Sequence, residues 1–167
     1  MPHNFKIVVS QFTHALWNMI RAGGFALLLL AGLGDVAVGT SPADNLAIRG
    51  YDTVAYFKIG KALKGDPSFT FQWHGMTWYF SIKENRDLFA MSPEKYAPQY
   101  DGYCAWAMTE ARKAETDPEV WKIVDGKLYL NCSREAYEKW IKDIPGHIRE
   151  ADRNWLKLKS SKITTSN

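Results

Sequence analysis

The hydrophobic pattern of the chain changes period several times, and each change marks an element. An apolar run fills Ala22 to Gly34, with Arg21 before it and Asp35 after it. Beyond a polar, Pro-containing lead at Thr40–Asn45, the stretch Thr53–Ile59 is rich in β-branched and aromatic residues and predicts a strand. Lys58-Ile59-Gly60-Lys61 predicts a turn into a short second strand near Ala62–Lys64, and Gly65-Asp66-Pro67-Ser68 carries turn chemistry. Phe69–Trp73 and Met76–Phe80, joined by His74-Gly75, predict a hairpin, with His a poorer first turn residue than Asn or Asp.

Helical signals follow. Ser81-Ile82-Lys83-Glu84 reads as a capping box ahead of a helix through Ala90, with Ile82, Leu88 and Phe89 facing inward. Ser92-Pro93 opens a short helix, and Gly102 to Ala111 predicts another. Asp125-Gly126 between Trp121–Val124 and Lys127–Asn131 is the strongest hairpin signal in the chain. Ser133 caps a helix through Ile141 that Pro145-Gly146 stops, and His147–Leu158 forms the last helix. The tail Lys159–Asn167 is expected to be disordered. No internal repeat is legible. The sum is an α+β domain over residues 40–158: a small antiparallel hairpin sheet covered by several short helices.

The apolar run is too short to cross a hydrocarbon core of about 30 Å comfortably, which takes roughly 20 apolar residues. It has the length of the apolar part of a secretory signal, and Ala37 and Gly39 supply the small residues a signal peptidase reads, with cleavage before Thr40. Residues 1–39 are therefore expected to be a signal peptide and the protein to be exported and periplasmic; an uncleaved inner-membrane anchor is the alternative. No cysteine follows the run, which excludes a bacterial lipid anchor there. Met19-Ile20-Arg21 makes an ordinary signal start by itself, so translation from Met19 is expected.

Cleavage leaves 128 of the 167 residues, enough for one domain with a core. It also leaves 19 of the 21 basic and 17 of the 18 acidic residues, a balance that argues against nucleic acid as a partner. The 23 Trp, Tyr and Phe residues, without a basic stripe, point to core and groove lining. Two cysteines, Cys104 and Cys132, have 27 residues between them, a weak disulfide signal by count alone.

From Arg49-Gly50-Tyr51-Asp52-Thr53-Val54-Ala55-Tyr56-Phe57, through Glu84-Asn85-Arg86 and Pro93-Glu94-Lys95-Tyr96-Ala97-Pro98, to Gly102-Tyr103-Cys104-Ala105-Trp106-Ala107 and Val124–Asn131, the chain resembles the YHS domain family. The resemblance runs from about Ala47 to Trp155 and is nearest to its exported single-domain bacterial members; it identifies a family and names no activity. Asp101 and Cys132 depart from the pattern, which implies a glycine and an aromatic residue there. In family members attached to copper-transporting ATPases, cysteines near the first strand and the hairpin end imply a copper or zinc site. Here those places read Val54-Ala55 and Tyr79-Phe80-Ser81, followed by Asn85 and Arg86. Soft metals need thiolate, thioether or imidazole donors, so that site is not inherited.

Cys104 is the best single candidate for chemistry: in the first turn of a predicted helix, backbone amides and the dipole favour its thiolate. An inert, buried cysteine is the simpler reading. Cys104 and Met108 share a helical face, and with His74 or Met76 they could offer soft donors to Cu(I), although small and flexible apolar residues on a core stripe look the same. His147 reads as a surface residue. Asp52 could bind a ligand or hold a turn, the turn being favoured. Tyr56, Trp78, Tyr103 and Trp106 are candidates for an aromatic groove. No nucleophile–base spacing or phosphate loop is present, so enzymatic activity is not indicated. Three readings follow: an exported binding or accessory module for a small ligand or a periplasmic protein, a copper-type metal handler, and a thiol redox protein using Cys104 alone or with Cys132.

Overall fold

The computed structural model describes residues 45–160. The signal segment, the Met19 start, most of the polar lead and residues 161–167 lie outside them. A 3-10 turn at Ala47–Gly50 leads into helix α1 (Thr53–Ile59), then strands β1 (Asp66–Trp73) and β2 (Met76–Phe80), helix α2 (Lys83–Met91) and helix α3 (Pro93–Tyr96). A second 3-10 turn at Gln99–Gly102 leads into helix α4 (Ala105–Thr109), strands β3 (Asp117–Val124) and β4 (Lys127–Asn131), helix α5 (Arg134–Trp140) and helix α6 (Ile144–Ser160). The fold is α+β, with two antiparallel two-stranded sheets, β1–β2 and β3–β4. Among the described residues no helix is long and apolar enough to cross a membrane.

Thr53–Ile59 is a helix, not the strand its β-branched residues suggest. Asp52 decides this: its Oδ1 accepts from the Val54 and Ala55 amides at 2.9 and 3.2 Å, and Gly60 closes the helix in the left-handed region at φ 63°. The expected strand at Ala62–Lys64 is reduced to a bridge between Tyr51 and Lys64. The turn residues from Asp66 onward belong to β1, which carries a bulge before Thr70, and β3 likewise starts four residues earlier than expected. Ser81 does not cap α2; its amide and hydroxyl both turn to Asp52, and Ile82, expected to face inward, is exposed. Helix α4 starts at Ala105, with Gly102 and Cys104 outside it. Ser133 does cap α5, accepting from the Ala136 amide at 3.2 Å. Pro145-Gly146 sits in the first turn of α6, where proline is tolerated, so the break falls earlier, at Ile141–Asp143. Lys159 and Ser160, expected in the tail, extend α6.

The repeat that the sequence conceals is the main feature of the fold. Residues 46–89 and 98–140 each run turn, helix, bulged hairpin, helix, with the same hydrogen bonds at matched places. Tyr51 N–H donates to Ile48 O and Tyr103 N–H to Tyr100 O; Asp52 N–H donates to Leu63 O and Cys104 N–H to Ala114 O. Leu46 bridges Thr77 as Pro98 bridges Leu128. Asp66 Oδ1 accepts from the Ser68 amide and Asp117 Oδ1 from the Glu119 amide, each before a bulge. Both hairpins turn through two left-handed residues, His74-Gly75 and Asp125-Gly126. The first core gathers Tyr56, Trp78, Phe80 and Phe89 with Tyr96 and with Leu128 and Leu130 of β4; the second core gathers Tyr100, Met108, Tyr129 and Trp140 beneath α6. Asn154 of α6 donates through Nδ2 to the Met108 and Thr109 carbonyls at 3.1 and 3.0 Å, closing the end of α4.

Candidate functional site

Each half opens with three successive left-handed residues: Ile48, Arg49 and Gly50 at φ 38°, 55° and 76°, and Tyr100, Asp101 and Gly102 at φ 59°, 52° and 83°. Non-glycine residues rarely adopt this region, least of all a β-branched one such as Ile48. The turns approach closely: a Cβ on Gly102 would meet Ile48 Cγ2 at 3.1 Å. At Asp101 the chain takes a backbone conformation that glycine adopts without strain.

A cleft of about 560 Å³ is lined by both turns. Its walls are completed by His74, Gly75 and Met76 of the first hairpin turn, by Lys113, Glu115 and Thr116 before β3, and by Trp155 and Lys159 of α6. Half-buried Tyr103 and Trp155 form a ring pair, centroids 6.4 Å apart. Lys113 Nζ stands 5.2 Å and 5.4 Å from these two rings, and Lys159 Nζ 5.8 Å from Trp155. Arg49, Lys113 and Lys159 supply three cations against the carboxylates of Asp101 and Glu115.

The predicted aromatic residues do not share one groove. Tyr103 lines the cleft. Trp78 reaches a smaller adjoining pocket of about 70 Å³ with Trp73, His74 and Pro98. Tyr56 is buried; its hydroxyl donates to Pro118 O at 2.9 Å, its ring stands edge-on to Trp121, and burial pushes its pKa well above the ordinary phenol value. Trp106 packs edge-on against His147, away from the cleft lining. His147 is half-buried rather than on the surface, and as the Nδ1–H tautomer it donates to Trp140 O at 2.7 Å. Sequence reasoning passed over Trp155, Lys113 and Arg49, whose importance comes only from their meeting at the cleft.

Asp52 is fully buried with both oxygens occupied. Besides the two α1 amides on Oδ1, its Oδ2 accepts from Ser81 N–H at 2.8 Å, Ser81 Oγ–H at 2.6 Å and Asn85 Nδ2 at 2.7 Å. It joins α1 to the end of β2 and to α2. Cys104 occupies the matched place in the second half. Its Sγ accepts from Ala107 N–H at 3.5 Å and Cys132 N–H at 3.1 Å, and lies 4.0 Å from Asn131 Oδ1. The expected thiolate stabilisation is outweighed: burial first, then the hydrogen bond shared with the Cys132 thiol, push Cys104 up to about 11. Both cysteines are free thiols.

The soft donors are not assembled. Met108 packs with Tyr129 and Trp140, Cys104 with Ala107 and Ala136, and His74 stacks on Trp73 at 3.7 Å on the exposed hairpin turn. Among the described residues, no three His, Cys, Asp or Glu side chains are grouped to hold a metal ion. This donor set does not fit copper or zinc. Compared with family models, with curated proteins and with solved structures, the chain matches none.

Proposed function

We propose that the protein is an exported binding module of the YHS type, and that a small ligand with a planar apolar part and a negative group sits between its two left-handed turns. The carrying observation is the Tyr103–Trp155 ring pair beneath the Lys113 ammonium, inside a cleft of about 560 Å³. Small-molecule sites typically measure about 300–1,000 Å³ and combine apolar walls with a few placed polar groups. The rings offer flat apolar contact, and the excess of cations over carboxylates favours an anion. The turns serve this arrangement because left-handed backbone folds the chain back sharply enough to bring Arg49 and Asp101 to one rim.

Titration of the full chain with aromatic carboxylates and their neutral amides, followed by tryptophan fluorescence and calorimetry, tests the proposal. Saturable carboxylate binding is expected, weakened about tenfold or more by Lys113→Gln and by Trp155→Ala, because a charge-assisted contact is worth about 1.5–3 kcal/mol. Trp106→Ala, outside the cleft, should leave it unchanged. Equal affinity for acid and amide, or no binding by either, removes this ligand class. Export is checked separately: the periplasmic fraction should hold a chain whose mass begins at Thr40.

A further inference from the structure

We infer that Cys104 and Cys132 form a reversible disulfide, made and broken by exchange with an incoming disulfide, that ties the start of α4 to the end of β4. The inference does not depend on what the cleft holds. The Cys132 amide lies 3.1 Å from Cys104 Sγ, and both side chains belong to one packed cluster with Ala107 and Ala136. The first half shows independently where a side chain at this place points. Ser81, matched to Cys132, turns its hydroxyl onto Asp52 Oδ2 at 2.6 Å, and Asp52 is matched to Cys104. The repeat thus aims residue 132 at the head group of residue 104, and only the second half places sulfur at both positions.

Accessibility sets the order of events. Cys104 is fully buried and Cys132 only partly buried, so Cys132 meets the oxidant. Its thiol gives up a proton and attacks one sulfur of a protein or small-molecule disulfide RS–SR. A Cys132–SR mixed disulfide forms and one RS⁻ leaves, taking up that proton. Cys104 then gives up its proton and attacks Cys132 Sγ; the Cys132–SR bond breaks, and the second RS⁻ leaves as the thiol. Two cysteine thiols are oxidised and one RS–SR is reduced to two RSH. The elevated pKa of Cys104 makes the second step slow near neutral pH and faster as pH rises.

The full-length protein, folded and without denaturant, is equilibrated in glutathione buffers from reducing to oxidising, quenched with a thiol-alkylating reagent and analysed by mass spectrometry. One species should appear with both cysteines protected, lighter than the reduced protein by two hydrogen atoms, and a Cys104–Cys132 cross-link should be recovered by proteolysis. Cys132→Ser, which places serine where the first half has Ser81, should keep the native circular dichroism and leave Cys104 unmodified in every buffer. Alkylation of both cysteines throughout, accumulation of a Cys132–glutathione adduct with Cys104 still free, or cross-linking only in denaturant overturns the inference.

Discussion

The two halves of the domain solve one structural problem with different head groups. At the start of α1 a carboxylate gathers five donors; at the start of α4 a thiol gathers two amides. The backbone around them is the same, down to the amide that donates from residue 52 to Leu63 O and from residue 104 to Ala114 O. A buried carboxylate with every lone pair occupied is a fixed tie, costly to disturb and without redox chemistry. A thiol makes a weaker tie, but it can bond to a second sulfur. The repeated scaffold fixes where the head group sits, and residue type alone decides whether the junction is permanent or switchable.

The largest effect is expected at the carboxylate. Asp52→Ala leaves the Val54, Ala55 and Ser81 amides, the Ser81 hydroxyl and the Asn85 amide without their acceptor, and should cost about 3–5 kcal/mol in urea unfolding of the full chain. Cys104→Ala at the matched place should cost only about 1–2 kcal/mol, the range of a lost cap with a small cavity. Equal losses at the two sites would erase the contrast.

A smaller effect is expected with pH. The Cys104 thiol is raised from 9.0 to about 11 in the folded protein. An acid whose folded pKa lies above its unfolded value contributes stability that is complete below the unfolded pKa and lost as pH climbs to the folded one. Stability of the reduced protein should therefore fall between about pH 9 and pH 11, by about 1–2 kcal/mol from this group. Tyr56 and Tyr100, both raised by burial, extend the loss to higher pH in the same direction. Denaturation series across that window should show the early part of the fall vanish in Cys104→Ala.

The smallest effect concerns the left-handed turns. Asp101 stands at φ 52°, a conformation glycine adopts without strain. Asp101→Gly should raise the melting temperature by a few degrees, equivalent to about 0.5–1 kcal/mol. It also removes a carboxylate from the cleft rim, so aromatic carboxylates should bind more tightly, which calorimetry on the same variant reads directly. Arg49 holds the matched place in the first turn at φ 55°, and Arg49→Gly should give a similar gain in stability while weakening anion binding.

Much of the fold was written locally. Asp125-Gly126 specified its hairpin, Ser133 its cap, and the alternating aromatic residues of Phe69–Trp73 and Met76–Phe80 theirs, because each rests on dihedral preferences or hydrogen bonds within a few residues. Thr53–Ile59 misled for the opposite reason: its residues favour a strand, and the Asp52 cap that overrides them draws its strength from Ser81 and Asn85, 29 and 33 residues away. The repeat left only thin traces, among them Gly50-Tyr51 with Gly102-Tyr103, Asp66-Pro67 with Asp117-Pro118, and Gly75 with Gly126. These are the positions where backbone geometry tolerates few residue types; elsewhere different side chains fill equivalent places, as Phe89 and Trp140 do.

Short segments settled the α+β class and the two hairpins, since turn chemistry and alternation are local properties. Tertiary structure decided the rest: that Tyr56 and Trp106 serve packing while Tyr103 joins Trp155 in a cleft, that Asp52 is a buried tie, and that the second sulfur lies beside the first. Those outcomes depend on which distant segments meet, and meeting is settled by how the apolar faces of the two halves and α6 bury one another.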